Sequence, residues 1–216
     1  MEAASRTRSQ PRGQRRQGIR ITSERLAPLR PVLRRWLTSI PEFNTYHEQA
    51  HDQPDYPFWY GERASVGLLA AAAWGDGVSL EEFTARKGRR LGRADLWLLL
   101  HGEGFSIEAK QIWISIGSRA QQSAAKAIDR ELRAAVKEAR RLPTSRLWGH
   151  RLGAAFVVPW LPSSEREEID IRVTRFLKEV IDQESQGAWW FDTGVEPSVD
   201  DRCLYPGVVL LFKSSR

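Results

Sequence analysis

The chain has 216 residues, of which 41% are hydrophobic and 28% are charged, a composition that suits one globular domain with a sizeable core. No apolar run approaches the ~20 residues that a membrane-spanning helix needs, and the N-terminus lacks the apolar stretch of a secretory signal. A single cysteine, Cys203, excludes an internal disulfide and a cysteine-ligated zinc site. We therefore expect a cytoplasmic protein with no membrane partner.

The net charge of +6 is concentrated at the N-terminus. Residues 1–36 contain ten arginines and two glutamates, a charge of +8, so the remaining 180 residues sum to −2. Residues 1–20 show no hydrophobic periodicity, which predicts a disordered basic arm followed by one domain over 21–216. Such an arm is consistent with nucleic-acid binding through counterion release, and a solvated tail explains it equally well.

The apolar spacing from Ser23 to about Leu37 predicts a helix that starts at, or is interrupted by, Pro28 or Pro31. Its arginines would lie on a solvated face or contact phosphate. Residues 41–58 contain three prolines and a polar run, which predicts a loop.

Residues 59–74 form the first strong helical pattern, and its alanines allow close packing on a sheet. Two interpretations of the next stretch stay open. The sequence Ser79-Leu-Glu-Glu82 has the form of a capping box, which favours a helical turn, whereas the stretch from Phe83 could be the first strand of the sheet.

Residues 95–111 read as two strands around a glycine-containing turn centred on Gly102-Glu103, which would place Asp95 opposite Lys110 and Trp97 opposite Glu108. Side chains alternate between the two faces of a strand, so one face of this hairpin should be wholly apolar. That face carries Leu96, Leu98, Leu100, Phe105, Ile107 and Ala109. The other face carries Asp95, Trp97, Ser106, Glu108 and Lys110.

Two carboxylates, Asp95 and Glu108, are thereby expected at one end of the hairpin beside the ammonium of Lys110. Neighbouring carboxylates repel unless a cation lies between them or one of them is protonated. Carboxylate oxygens suit Mg²⁺ or Mn²⁺, which can polarise a phosphodiester and activate a bound water. Lys110 could orient that water or neutralise charge that develops on the phosphate.

Basic residues precede this cluster and would reduce the repulsion between its carboxylates and an incoming phosphate chain. They are Lys87, Arg89, Arg90 and Arg93.

Nine tryptophans raise the question of stacking on unpaired bases. Most should lie in the core, and Trp97 and Trp113 are the two expected beside the cluster.

The rest of the chain alternates between strands and helices. We predict that the hairpin's second strand continues through residues 112–116, and that Ser118 or a neighbouring residue caps a helix over about 119–141 with its mixed charges on a solvated face. A strand at 153–160, a helix at about 165–184 and closing strands at 189–191 and 207–212 follow.

The spacing of Asp95, twelve intervening residues and Glu108-Ala109-Lys110 resembles the D…(D/E)xK signature of the PD-(D/E)xK nuclease superfamily. Ala94 stands where the family's name-giving proline would be. The resemblance covers about residues 58–160 and implies a restriction-endonuclease-like αβββαβ core, an α/β fold whose central mixed sheet is flanked by helices.

The resemblance also implies roles for individual residues. Asp95 and Glu108 match the metal ligands, and Lys110 matches the catalytic lysine. Glu62 matches an acidic residue in the preceding helix, although the favourable interaction of a carboxylate with a helix N-terminus explains Glu62 equally well. Gln111 is similar to a polar residue that follows the lysine in some members, and we expect it to contact nucleic acid.

The expected function is therefore Mg²⁺- or Mn²⁺-dependent hydrolysis of DNA, with the carbonyl of Ala109 as a further metal ligand. Cutting both strands of a duplex commonly requires two active sites, so a homodimer is an expected partner state. Two alternatives remain open. One is a nuclease of the same fold that acts on RNA or branched junctions, and the other is a catalytically silent nucleic-acid-binding or assembly module.

Overall fold

The protein is described here from a computed structural model that covers residues 13–87, 90–120, 123–142, 149–182, 186–196 and 202–215, with only the backbone described within 85–92. Within these ranges the chain forms eight β-strands and four α-helices. The strands are β1 Arg15–Arg20, β2 Gly77–Lys87, β3 Arg90–Leu100, β4 Glu103–Ser115, β5 His150–Pro162, β6 Gln186–Asp192, β7 Cys203–Leu204 and β8 Gly207–Ser214. The helices are α1 Leu29–His51, α2 Glu62–Ala73, α3 Ala124–Ala139 and α4 Ile169–Val180.

The strands build one mixed sheet in the order β1-β6-β8-β5-β4-β3-β2, with the short β7 paired to β5. The β4–β5 pair is parallel, and α3 forms the crossover between its strands. The other neighbouring strands are antiparallel. The expected class, an α/β fold with a central mixed sheet flanked by helices, is confirmed.

The helices pack on the sheet in two pairs. Helices α1 and α2 contact each other, with α1 also on β6 and α2 on β2, β3 and β4. Helices α3 and α4 contact each other, and α3 lies on β4, β5 and β8. The side chain of Gln111 contacts α2, whereas that of the preceding Lys110 contacts α3. Because successive side chains of a strand point to opposite faces, the two pairs cover opposite faces at β4.

Two expectations for the N-terminal region are wrong. Residues 15–20 of the expected disordered arm form β1, which pairs with β6 and is anchored by an ion pair of 3.1 Å between Arg15 Nε and Asp192 Oδ2. Residues 1–12 lie outside the described residues. In addition, residues 41–51, expected to be loop, continue α1.

Helix α1 accommodates Pro41, which lacks the N–H that the helix would otherwise use at this position. Burial of the preceding turns holds the helix in place, since Trp36 is 2% and Ile40 is 0% exposed. The hydroxyl of Thr45 donates a hydrogen bond of 3.0 Å to the Pro41 carbonyl. Tertiary packing thus outweighs the local signal of the proline.

The remaining elements follow the sequence closely. The open choice at residues 79–87 is decided in favour of a strand, and β2 already begins at Gly77. Helix α3 starts later than predicted, because the hydroxyl of Ser123, and not that of Ser118, caps it by accepting from the Lys126 N–H. The predicted strands and helix after residue 150 are present as β5, α4, β6 and β8. In the described part of the chain, no helix has both the length and the apolar character that crossing a membrane requires.

Candidate active site

The β3–β4 hairpin has a two-residue turn at His101-Gly102, because Leu100 pairs with Glu103. Both turn residues have positive φ, 50° and 83°, as a type I′ turn requires. The turn therefore lies one residue earlier than predicted, and the expected pairing of Trp97 with Glu108 is wrong because Trp97 pairs with Ser106.

This shift moves the register by two residues, so each side chain keeps its predicted face. The ladder ends at Leu96 opposite Ile107, and its continuation places Asp95 opposite Glu108 rather than Lys110. The two acidic residues are therefore nearer to each other than the sequence predicted.

Beyond Leu96 and Ile107 the two strands diverge. Strand β3 stays paired with β2 as far as Arg90, whereas β4 stays paired with β5 as far as Ser115. A gap therefore opens along the β3-facing edge of β4. We call the part of this edge from Glu108 to Gln111, with the side chains that reach it, the open edge.

At the open edge, two carboxylates accept the backbone hydrogen bonds that β4 would otherwise donate to a neighbouring strand. The N–H of Ala109 donates to Asp95 Oδ2 at 2.9 Å, and the N–H of Gln111 donates to Glu62 Oε2 at 3.2 Å. Strand β3 contributes the first carboxylate and the N-terminus of α2 contributes the second. Acidic side chains therefore link β4 to β3 and to α2 where the strand ladder is interrupted.

Glu108 is buried, with 8% of the residue exposed, and shares a hydrogen bond with Asp95. Burial raises the pKa of Glu108 to about 8, and the charge of Asp95 and this hydrogen bond act in the same direction. Two carboxyl groups in contact must hold a proton or a cation between them. The pair is therefore chemically suited to a divalent metal ion.

Lys110 forms an ion pair with Glu138 of α3, with 2.7 Å between Nζ and Oε2. Burial lowers the pKa of Lys110, but the hydrogen bond to Glu138 and the charges of Glu138, Glu62 and Asp95 outweigh it and raise the pKa overall. The two side chains are 28% and 41% exposed, so the pair is accessible to solvent.

Glu138 was not predicted as part of the site, because it was assigned to the solvated face of its helix. It precedes the fully buried Ala139 and therefore lies on the flank of the apolar stripe of α3. The position of Glu138 at the border between the apolar and the charged face of α3 is the sequence pattern that could have indicated a contact with the sheet.

Glu62 begins α2 after Gly61, whose φ of 106° is a conformation that glycine tolerates. Burial raises the pKa of Glu62, while Lys110 and the Gln111 N–H oppose the shift and Asp95 adds to it. Glu62 is therefore both a carboxylate at a helix N-terminus and a neighbour of Asp95 and Lys110. The structure places it at the site, as the sequence predicts.

Gln111 is held at both ends of its amide. Its Nε2 donates to the Phe58 carbonyl at 3.1 Å, and its Oε1 accepts from the Ser65 hydroxyl at 2.8 Å. These bonds brace α2 and the turn before it against β4. A contact between Gln111 and nucleic acid stays a prediction.

Of the predicted basic approach, only the side chain of Arg93 is described. It is exposed and lies 3.8 Å from Glu82, which also pairs with Arg63 at 2.8 Å. Arg89 and the side chains of Lys87 and Arg90 lie outside the described residues.

Trp97 and Trp113 have different surroundings. Trp97 is 5% exposed and stacks on Phe83 with 4.9 Å between ring centroids, so it belongs to the core. Trp113 is 43% exposed and makes an edge contact with Tyr205 at 5.3 Å.

Among the described residues, no group of three or more histidine, cysteine, aspartate or glutamate side chains could hold a metal ion. Two carboxylates that share a hydrogen bond, Asp95 and Glu108, together with a backbone carbonyl, are the donors at the open edge that could hold such an ion. The N–H and C=O of a strand residue point to the same side, so the Ala109 carbonyl faces the gap together with the N–H that binds Asp95. Mg²⁺ commonly binds through one or two carboxylates and keeps several waters, and this donor set fits that pattern.

No protein-family model matches the chain, and searches of curated proteins and of solved structures also gave no match. The functional argument therefore depends on the residues of the open edge.

Proposed function

We propose that the protein is a metal-dependent nuclease that hydrolyses DNA phosphodiester bonds at the open edge. The observation that carries the proposal is the convergence of Asp95, Glu108 and Lys110, from two diverging strands, on one solvent-accessible gap. Two neighbouring carboxylates suited to a divalent metal ion, beside a lysine ammonium, are a combination that can hydrolyse a phosphodiester.

The order of elements supports the same conclusion. The run α2-β2-β3-β4-α3-β5 has the αβββαβ sequence of a restriction-endonuclease-like core, with β2, β3 and β4 antiparallel and β5 parallel to β4. The D…ExK residues lie at the divergence of β3 and β4, and Glu62 enters from the preceding helix. We therefore assign the chain to the PD-(D/E)xK superfamily as part of the proposal.

In this proposal Asp95, Glu108 and the Ala109 carbonyl hold a divalent cation, which supplies Lewis acidity towards the phosphate and a more acidic bound water. The ammonium of Lys110 orients the attacking water and offsets the charge that develops on the phosphate. Glu138 keeps that ammonium at the gap before the substrate arrives. Cleavage of both strands of a duplex would require two such sites, for which we propose a homodimer.

The test is a cleavage assay on duplex, single-stranded and branched DNA and on RNA, with Mg²⁺, Mn²⁺ or EDTA. We expect cation-dependent cleavage of DNA that Lys110→Ala reduces by at least about 10²-fold. The control is Lys213→Ala, which removes a surface lysine from a similar ion pair, 3.0 Å from Asp129 and outside the site. Cleavage by Lys110→Ala at the rate of the parent would contradict the mechanism.

One observation favours the catalytically silent module as a second candidate. The ammonium of Lys110 is engaged by Glu138, and a pair of this kind could serve structure alone. Titration calorimetry with Mn²⁺ distinguishes the two functions, because a silent module need not bind the ion. Such a module would also bind DNA equally well after Asp95→Ala.

A further inference from the structure

The exposed face of α3 carries a row of basic side chains, which we call the basic stripe. Its members recur at alternating intervals of four and three residues, so they lie on one side of the helix. They are Lys126, Arg130, Arg133, Lys137 and Arg140, all exposed to solvent. The stripe is about 21 Å long at the rise of a helix, and it lies opposite the buried apolar residues of α3.

The acidic residues on the flanks of α3 are engaged by lysines of the sheet. On one flank, Glu138 pairs with Lys110 of β4, with 2.7 Å between Oε2 and Nζ. On the other flank, Asp129 pairs with Lys213 of β8, with 3.0 Å between Oδ1 and Nζ. Each of these carboxylates thus has a cation of its own outside the basic stripe.

Three members of the basic stripe, Lys126, Lys137 and Arg140, form no ion pair with any carboxylate that the structure describes. Arg130 and Arg133 pair with acidic residues of α3 itself, but their side chains are 66% and 73% exposed. Exposed ion pairs contribute little free energy, so an anionic ligand can displace them. The chain beyond its first 36 residues has a charge of −2, so the stripe is a local concentration of positive charge.

A cleft of about 700 Å³ lies beside the basic stripe, between α3 and β8. Three residues of the stripe line it, Arg133, Lys137 and Arg140, and none of its described lining residues is acidic. A concave surface with charge of one sign concentrates counter-ions near it. The stripe and the cleft together therefore form a surface suited to a polyanion.

The C-terminal end of the basic stripe borders the open edge. Lys137 immediately precedes Glu138, whose carboxylate contacts the ammonium of Lys110. The stripe is long enough to follow about six base pairs of a duplex, at about 3.4 Å per base pair. Duplex DNA that presents a phosphate at the open edge would therefore have neighbouring phosphates beside the stripe.

Two other kinds of ligand fit this surface less well. Unpaired nucleic acid is held by aromatic side chains as well as by cations, and α3 contains no aromatic residue. Helices that bind anionic membranes present large apolar residues beside their cations, whereas the large apolar residues of α3 are buried. Duplex DNA carries one charge per about 1.7 Å of its axis and can be bound through its phosphates alone.

We propose that the basic stripe binds the phosphate backbone of duplex DNA beside the scissile bond, without reading the base sequence. The inference rests on the proposed function and specifies its substrate as a duplex that extends from the open edge along α3. Lys137 and Arg140 are the principal contacts. They line the cleft, have no competing ion pair among the described residues and lie at the end of the stripe beside the open edge.

The test measures the affinity of the full chain for a labelled duplex of about 20 base pairs, by fluorescence anisotropy in EDTA at several salt concentrations. We expect Lys137→Gln with Arg140→Gln to weaken binding by about 10- to 100-fold at about 0.1 M salt. The log–log salt slope should fall by about 1.8, since each lost phosphate contact removes about 0.9. Lys137→Arg with Arg140→Lys retains both charges and should bind as tightly as the parent.

The matched control is Arg34→Gln with Arg35→Gln, which removes two exposed cations from α1. Helix α1 belongs to the pair of helices that covers the other face of the sheet, so affinity and salt slope should keep the values of the parent. Equal weakening by the two double variants would show that net charge and not the basic stripe determines binding, and would overturn the inference.

The outcomes separate the basic stripe from the catalytic proposal. If Lys137→Gln with Arg140→Gln binds the duplex as tightly as the parent, the stripe does not bind DNA, even where cation-dependent cleavage is present. If binding depends on these two residues but no nucleic acid is cleaved in Mn²⁺, the stripe is supported and the nuclease proposal fails.

Two further probes test the choice of ligand. A single strand of the same length should bind more weakly than the duplex, because its charge density is lower. Vesicles that contain phosphatidylserine should not bind through Lys137 and Arg140. Tighter binding of the single strand, or loss of vesicle binding without loss of duplex binding in the Gln double variant, would overturn the inference.

Discussion

The two ends of the β3–β4 hairpin satisfy their backbone groups in different ways. At the turn end, Leu98 pairs with Phe105 and Leu100 with Glu103 in a regular ladder, and both leucines are fully buried. At the open edge the ladder stops, and the carboxylates of Asp95 and Glu62 accept hydrogen bonds from the β4 backbone. The comparison shows that the acidic side chains of the candidate site gather where regular strand pairing is interrupted, while the regular part of the hairpin is apolar and buried.

The largest effect on activity is expected from Asp95→Asn. Loss of a metal-binding charge should reduce cation-dependent cleavage by about 10³-fold or more, equivalent to about 4 kcal/mol. The melting temperature in EDTA should change little, since an asparagine Oδ1 can still accept from the Ala109 N–H. Single-turnover cleavage and thermal unfolding of the same preparation measure both quantities, and a variant that unfolds would point to a structural role for Asp95.

Leu98→Ala perturbs the other end of the hairpin. Removal of a fully buried leucine should lower the free energy of unfolding by about 2–5 kcal/mol. Cleavage per folded molecule should be unchanged, because the apolar face does not contact the site. The control is Leu80→Ala on the adjacent β2, where the leucine is 41% exposed. Its free energy of unfolding in urea should differ from that of the parent by no more than about 0.5 kcal/mol.

The raised pKa of Glu108 makes the stability of the metal-free protein depend on pH. The pKa of Glu108 in the folded protein, about 8, lies above the ordinary value of 4.5. The stabilisation that protonated Glu108 gives the folded state is therefore complete below pH 4.5 and is lost as the pH rises through 8. We expect the free energy of unfolding in EDTA to fall by about 2–4 kcal/mol across this interval. Glu108→Gln should abolish this pH dependence, and a parent protein that is equally stable at pH 5 and 9 would contradict the burial argument.

The smallest expected effect concerns the turn. Gly102 has a φ of 83°, and a Cβ added there would have no atom within 4 Å. Gly102→Ala should therefore lower the free energy of unfolding by about 1 kcal/mol through backbone strain and not through a steric clash. His101→Asn, at a φ of 50°, should be neutral or slightly stabilising, because asparagine tolerates this conformation. Thermal unfolding of the two variants measures these changes, and equal destabilisation by both would argue against a type I′ turn.

The sequence by itself determined the alternation that separates the faces of the hairpin and the helical periods of α3 and α4. These patterns depend only on the local repeat of strands and helices, and in α3 the apolar residues at helical spacing, from Ala124 to Ala139, are the buried ones. The identities of Asp95, Glu108, Lys110 and Glu62 as members of one cluster could also be read from spacing and resemblance.

Only the tertiary structure decided the register of the hairpin, the course of α1 through Pro41, and the pairing of Lys110 with Glu138. A turn one residue earlier preserves every face, so face patterning cannot detect the two-residue shift that brings Asp95 opposite Glu108. Glu138 is twenty-eight residues from Lys110 in the chain, and the crossover of α3 onto β4 brings them together. Local sequence fixes which side of an element a residue occupies, whereas contacts between elements depend on how the whole chain packs.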